Sequence, residues 1–133
     1  MTNDQTRNAP GTILLVEDDD GVRAFVRLGL EHAGYTILAA ADSEQALDLF
    51  RTDPNRIDLV LSDVVMPNQT GPELIAELRR LRPNVRAVFM SGYTGGIVSN
   101  SGGLPCDVPL LEKPFTLERL LQVVAMSVNS KQA

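Results

Sequence analysis

Apolar positions along this chain follow two periods. Thr12-Ile13-Leu14-Leu15-Val16, Tyr35 to Ala40, Leu59-Val60-Leu61, Val85 to Met90 and the end of Pro105 to Leu111 are compact apolar runs. Short apolar runs bounded by turn signals read as strands covered on both faces, as in a parallel sheet. Between them the spacing becomes helical. Gly21 to His32 carries Val22, Phe25, Val26 and Leu30 on one face and stops at Gly34. Asp42 reads as an N-cap, with Gln45 three residues on and Ala46, Leu47 and Phe50 on the inner face before Pro54 and Asn55 break the helix. Gly71 to Leu81 places Leu74, Ile75, Leu78 and Leu81 inward and ends before Pro83. Thr116 can cap a last helix carrying Leu117, Leu120, Leu121, Val124 and Val128. The pattern weakens from Gly92 to Gly103, where five of the chain's ten glycines fall.

Strands alternating with helical segments predict an α/β fold, a doubly wound five-stranded parallel sheet with helices on both faces. The flavodoxin-like order 2-1-3-4-5, which rests in part on a family resemblance, would place strands one and three side by side at the switch point, where ligands of such sheets bind. The expected domain is residues 12–128, with residues 1–11 a disordered lead-in and 129–133 a polar tail.

Composition narrows the function. At 133 residues, 44% hydrophobic and 22% charged, the chain has the makeup of one soluble globular domain. A net charge of -5 argues against a nucleic-acid surface. The single cysteine, Cys106, excludes an internal disulfide, and with no Cys/His cluster there is no structural zinc site. No signal peptide or membrane-spanning run is visible, so a cytoplasmic location is expected.

The chemistry gathers where the strands end. Strand one runs into Glu17-Asp18-Asp19-Asp20, strand three into Asp63, strand four into Ser91 and strand five into Glu112-Lys113-Pro114-Phe115. Asp19 and Asp20 suit the start of a helix, where the dipole favours acids. Glu17, Asp18 and Asp63 should converge, and three close carboxylates repel unless a hard cation intervenes. Magnesium takes oxygen ligands, typically one or two carboxylates plus a phosphate. The hydroxyl of Ser91 and the ammonium of Lys113 would complete a site able to stabilise a phosphoryl group on a carboxylate.

Leu15-Val16-Glu17-Asp18-Asp19, Ser62-Asp63-Val64-Val65-Met66-Pro67 with Gly71, Met90-Ser91-Gly92 and Glu112-Lys113-Pro114-Phe115 together resemble the receiver domain of two-component response regulators, over Ile13 to about Val128. The resemblance implies that Asp63 accepts a phosphoryl group from the phosphohistidine of a sensor histidine kinase or phosphotransfer protein, catalysing its own modification, and signals to a downstream protein target. It implies that Asp18, Asp63 and the main-chain carbonyl of Val65 ligate Mg2+, with Glu17 acting through a water. Ser91 and Lys113 would hold phosphoryl oxygens, and Lys113-Pro114 would be a cis peptide. Val65 and Tyr93 would flank the hydrolytic water; neither positions water well, so self-dephosphorylation should be slow. Where the family usually carries a switch Tyr or Phe, this chain has Leu110. The expected bistable element is therefore the glycine-rich stretch 92–104, with Tyr93 standing in for the missing ring.

Other functions fit less well. A haloacid-dehalogenase-type phosphatase needs a second acid at the position of Val65, and a serine hydrolase needs a glycine two residues before Ser91. A flavodoxin-like mononucleotide binder would meet the acids of Glu17 to Asp20 where it needs a phosphate cradle. The alternative retained is a phosphorylation-independent pseudo-receiver acting as a docking module. With no output domain after Val128, either a single-domain regulator or a receiver cut from a longer chain, such as a hybrid kinase, is expected.

Overall fold

The computed structural model describes residues 11–92 and 108–129. The expected lead-in before Gly11, Tyr93, Cys106, the rest of the glycine-rich stretch and the polar tail after Asn129 lie outside the described residues. The element order is β1 Thr12–Val16, α1 Asp20–His32, β2 Thr36–Ala40, α2 Ser43–Thr52, a short 3-10 turn Pro54–Arg56, β3 Leu59–Asp63, α3 Gly71–Leu81, β4 Ala87–Ser91, β5 Leu110–Glu112 and α4 Leu117–Asn129.

All pairings are parallel, in the order β2-β1-β3-β4-β5. Alternate strand residues face opposite sides, so each strand feeds two cores. Leu14, Val16, Val60 and Phe89 join Phe50, Leu74 and Leu78 under α2 and α3. Ile13, Leu15, Leu61 and Met90 join Val26, Leu30, Leu120 and Val124 under α1 and α4. Helices therefore cover both faces, which is why the strands read as unbroken apolar runs.

Local chemistry sets the helix ends. The Asp19 and Asp42 carboxylates accept from the amides of Val22 and Gln45, at 2.9 and 2.8 Å. At α3 the Thr70 hydroxyl accepts from Glu73 N and the Glu73 carboxylate accepts from Thr70 N, a reciprocal capping box. Each such cap is worth about 1 kcal/mol. Gly34 stops α1 at φ 105°, a left-handed conformation that favours glycine.

Some expected details shift. Phe25 is 45% exposed, leaning on the ring of Phe115 at a centroid distance of 6.4 Å, and Leu81, the last residue of α3, is 49% exposed. Helical periodicity places both on the apolar stripe, but they occupy its uncovered edges. Strand four begins at Ala87: the Val85 amide donates to the Arg82 carbonyl at 3.2 Å, and the Val85 carbonyl accepts from Arg79 Nε and Nη2 at 3.1 and 2.9 Å, so Val85 bonds outside the sheet. Strand five is the short Leu110–Glu112. Among the described residues no helix is long and apolar enough to cross a membrane.

Candidate functional site

Register builds the site. β1 and β3 are neighbours with Val16 opposite Ser62, so Glu17 and Asp63 leave the sheet together. Ser91 lies opposite Glu112, and Lys113 N donates to the Ser91 carbonyl at 2.7 Å, which launches the Lys113 side chain over the same edge. The Lys113–Pro114 peptide is cis.

The ammonium of Lys113 bridges two carboxylates, with Nζ 2.8 Å from Glu17 Oε1 and 2.8 Å from Asp63 Oδ1. Glu17 is only 1% exposed and Asp63 6%, so both carboxyl groups sit away from water. The second oxygen of Glu17 accepts from Asp19 N at 3.0 Å, and Arg23 Nη1 donates to the Glu17 carbonyl at 2.9 Å, tying the acidic turn to α1. Asp18 is exposed, yet one carboxylate oxygen from each of Glu17, Asp18 and Asp63 lies within 4.8 Å of the others.

The electrostatics follow from this burial. Desolvation pushes the Asp63 carboxyl up to about 8; a hydrogen bond with Glu17 and its charge add to the rise, while the bond to Lys113 and its charge offset part of it. Burial alone would lower the Lys113 ammonium, but its hydrogen bonds and charge interactions with Asp63 and Glu17 prevail, and its pKa is raised. Lys113 therefore stays charged, and the strain of the cluster falls on Asp63.

A divalent cation suits this donor set. All the donors are hard oxygens, and three ionised carboxylates against one ammonium leave a formal charge of minus two. Ser91 is buried at the same edge, and the Val65 side chain is 68% exposed just beyond Asp63. Leu110 is half-buried against the core under α2 and α3. The structure thus brings Glu17, Asp18, Asp63, Ser91 and Lys113 to one edge; Tyr93 falls outside the described residues.

Two contacts of Asp63 were not legible in the sequence, although both residues belong to the motif around it. The Ser62 hydroxyl, pointing away from the site, donates to the Asp63 carbonyl at 2.9 Å. The Cα of Gly71 packs against that same carbonyl. Nothing in the apolar pattern marks either contact; the sequence shows the two residues as members of the motif around Asp63 but assigns neither a role.

With this geometry in place, comparison with known proteins agrees on one assignment. The chain belongs to the response regulator receiver domain family, whose pattern matches residues 13–125. It is 40% identical over 115 residues to the sensor kinase CckA of Brucella abortus (strain 2308), covering 85% of this chain but 12% of that protein. It is 31% identical over 112 residues to the response regulator receiver protein CpdR of the same organism, covering 84% of this chain and 92% of that protein. The crystal structure of the receiver domain from the hybrid histidine kinase CckA superposes with a TM-score of 0.75 at 36% identity, covering 89% of this chain and 99% of that one. Relatives thus include a stand-alone receiver protein and a segment of a much longer kinase.

Proposed function

We propose that this chain is a phosphoacceptor switch in which Asp63 takes a phosphoryl group from the phosphohistidine of a sensor histidine kinase or a phosphotransfer protein. An Asp63 carboxylate oxygen bonds to phosphorus as the phosphorus–nitrogen bond breaks, and that electron pair returns to the imidazole ring. Phosphoryl transfer asks the protein mainly for positioning and charge stabilisation. Lys113 supplies a fixed positive charge, turning from Asp63 Oδ1 toward a transferred oxygen, and the Ser91 hydroxyl donates to another.

Asp18, Asp63 and the main-chain carbonyl of Val65 would hold Mg2+, with Glu17 close behind them. Bound there, the cation would balance the carboxylates, keep Asp63 ionised at neutral pH and draw charge from the phosphoryl oxygens. Val65 and Tyr93 would limit the approach of hydrolytic water. The output goes to a downstream protein target in the cytoplasm, a compartment that suits a chain with one cysteine.

The observation that carries the proposal is the bridging of Asp63 and Glu17 by Lys113, at 2.8 Å each, beside Asp18. Incubation with acetyl phosphate and Mg2+ should add one phosphoryl group by intact mass, with none on Asp63→Asn, which keeps the shape and loses the nucleophile. Equal adducts on both proteins would contradict the assignment. A parent that takes no label would favour the docking-only alternative.

A further inference from the structure

Two residues of the chain contact the Asp63 carbonyl, Ser62 and Gly71. The side chain of Ser62 shares the face of β3 occupied by Val60, toward α2 and α3, and is fully buried there. Its hydroxyl has an acceptor 2.9 Å away in the Asp63 carbonyl, which satisfies a polar group that burial would otherwise penalise. The second contact is Gly71, whose amide donates to the Val64 carbonyl at 2.7 Å and so folds the β3–α3 loop back onto the strand end. A Cβ at Gly71 would run into the Asp63 carbonyl oxygen, well inside van der Waals contact. It would also lie 3.1 Å from the Asp63 carbonyl carbon and 3.1 Å from the Phe89 ring. Phe89 is fully buried in the core and backs the loop, so any side chain at position 71 would have to move the backbone of Asp63.

We infer that Ser62 and Gly71 are positioning residues for the phosphoacceptor, fixing its main chain so that its carboxylate leaves the sheet in line with Lys113. The inference rests on the assignment of Asp63 as acceptor. Neither residue touches the phosphoryl group. Their effect passes through the Asp63 backbone, where a displacement of about 1 Å is enough to slow a positioned reaction by about a hundredfold.

The test uses the whole chain, with acetyl phosphate as donor in saturating Mg2+, and reads the maximal labelling rate, the half-saturating donor concentration and the melting temperature. Ser62→Ala should lower the maximal rate, and Gly71→Ala should lower it further, by up to about a hundredfold. The half-saturating concentration should barely move, and Ser62→Thr, which restores the hydroxyl, should recover much of the rate. Ile13→Val, a core change on β1 away from Asp63, serves as a control for lost stability alone and should label at the parent rate. Folded Ser62→Ala and Gly71→Ala proteins that label at the parent's maximal rate would overturn the inference, as would an equal loss in Ile13→Val. If Gly71→Ala does not fold, Ser62→Ala and Ser62→Thr decide. A parent that takes no label at Asp63 overturns the acceptor assignment and the inference with it; a labelled parent with indifferent variants overturns the inference alone.

Discussion

Lys113→Met should destabilise the protein by about 3 kcal/mol at pH 8, the low end for breaking a buried ion pair because Lys113 keeps some exposure. Methionine preserves most of the stem and removes the only charge that bridges Glu17 and Asp63 among the described residues. Two carboxylates at 1% and 6% exposure are then left without a counter-charge. The loss should shrink toward pH 5, where the native variant can take up protons instead of holding both groups ionised. Urea unfolding of parent and variant at pH 5 and pH 8 measures it. Equal midpoints at pH 8 would mean that the ammonium contributes nothing to the fold.

The second large effect is the coupling of pH and Mg2+ in the unmodified protein. An unfolded Asp titrates near 3.9, whereas Asp63 in the fold is raised to about 8. Between those values the native state holds a proton that the unfolded chain has released. Asp63 therefore contributes stability that is fully present below about pH 4 and is lost as pH rises toward 8. The raised Lys113 acts at the far end of the scale, its contribution being lost only above its ordinary 10.5. A cation must displace the Asp63 proton, so it should bind better at pH 8 than at pH 6. At a hundredfold excess over its dissociation constant it would stabilise the fold by about 2.7 kcal/mol. Thermal melts should show metal-free stability falling from pH 5 to pH 8, a larger Mg2+ shift at pH 8, and a much reduced shift in Asp18→Ala. A shift independent of pH, or one surviving intact in Asp18→Ala, would contradict the coupling.

What was legible in the sequence follows from how each feature is encoded. Parallel strands buried on both faces write themselves as apolar runs, and Glu17, Asp63, Ser91 and Lys113 stand where those runs stop. Their convergence thus follows from the sheet order. The bounds of α3 were equally plain, with Gly71 at its start and Pro83 beyond its end. The sequence is silent where a residue acts through geometry across the fold. Arg82 donates from Nη1 to the carbonyls of Pro54 and Ile57, both at 2.6 Å, pinning the α2–β3 loop, a contact that its place after α3 does not suggest. Phe25 has the spacing of a core residue, and only the packing of neighbouring helices decides that it lies at an edge. The convergence of Glu17 and Asp63 was expected, but not that one ammonium would hold both. Ser62 shows the same gap most sharply, since a serine inside a strand tells nothing of the carbonyl it will meet.

The central claim is that Asp63 carries the phosphoryl group, and chemical trapping at the residue tests it most directly. Borohydride reduces an acyl phosphate to the alcohol, so a phosphorylated aspartate becomes homoserine. After labelling with acetyl phosphate and Mg2+, reduction and proteolysis, tandem mass spectrometry should find homoserine at position 63 and aspartate at positions 18, 19 and 20. Homoserine at any of those three positions, or a phosphorylated protein whose residue 63 is still aspartate after reduction, would contradict it.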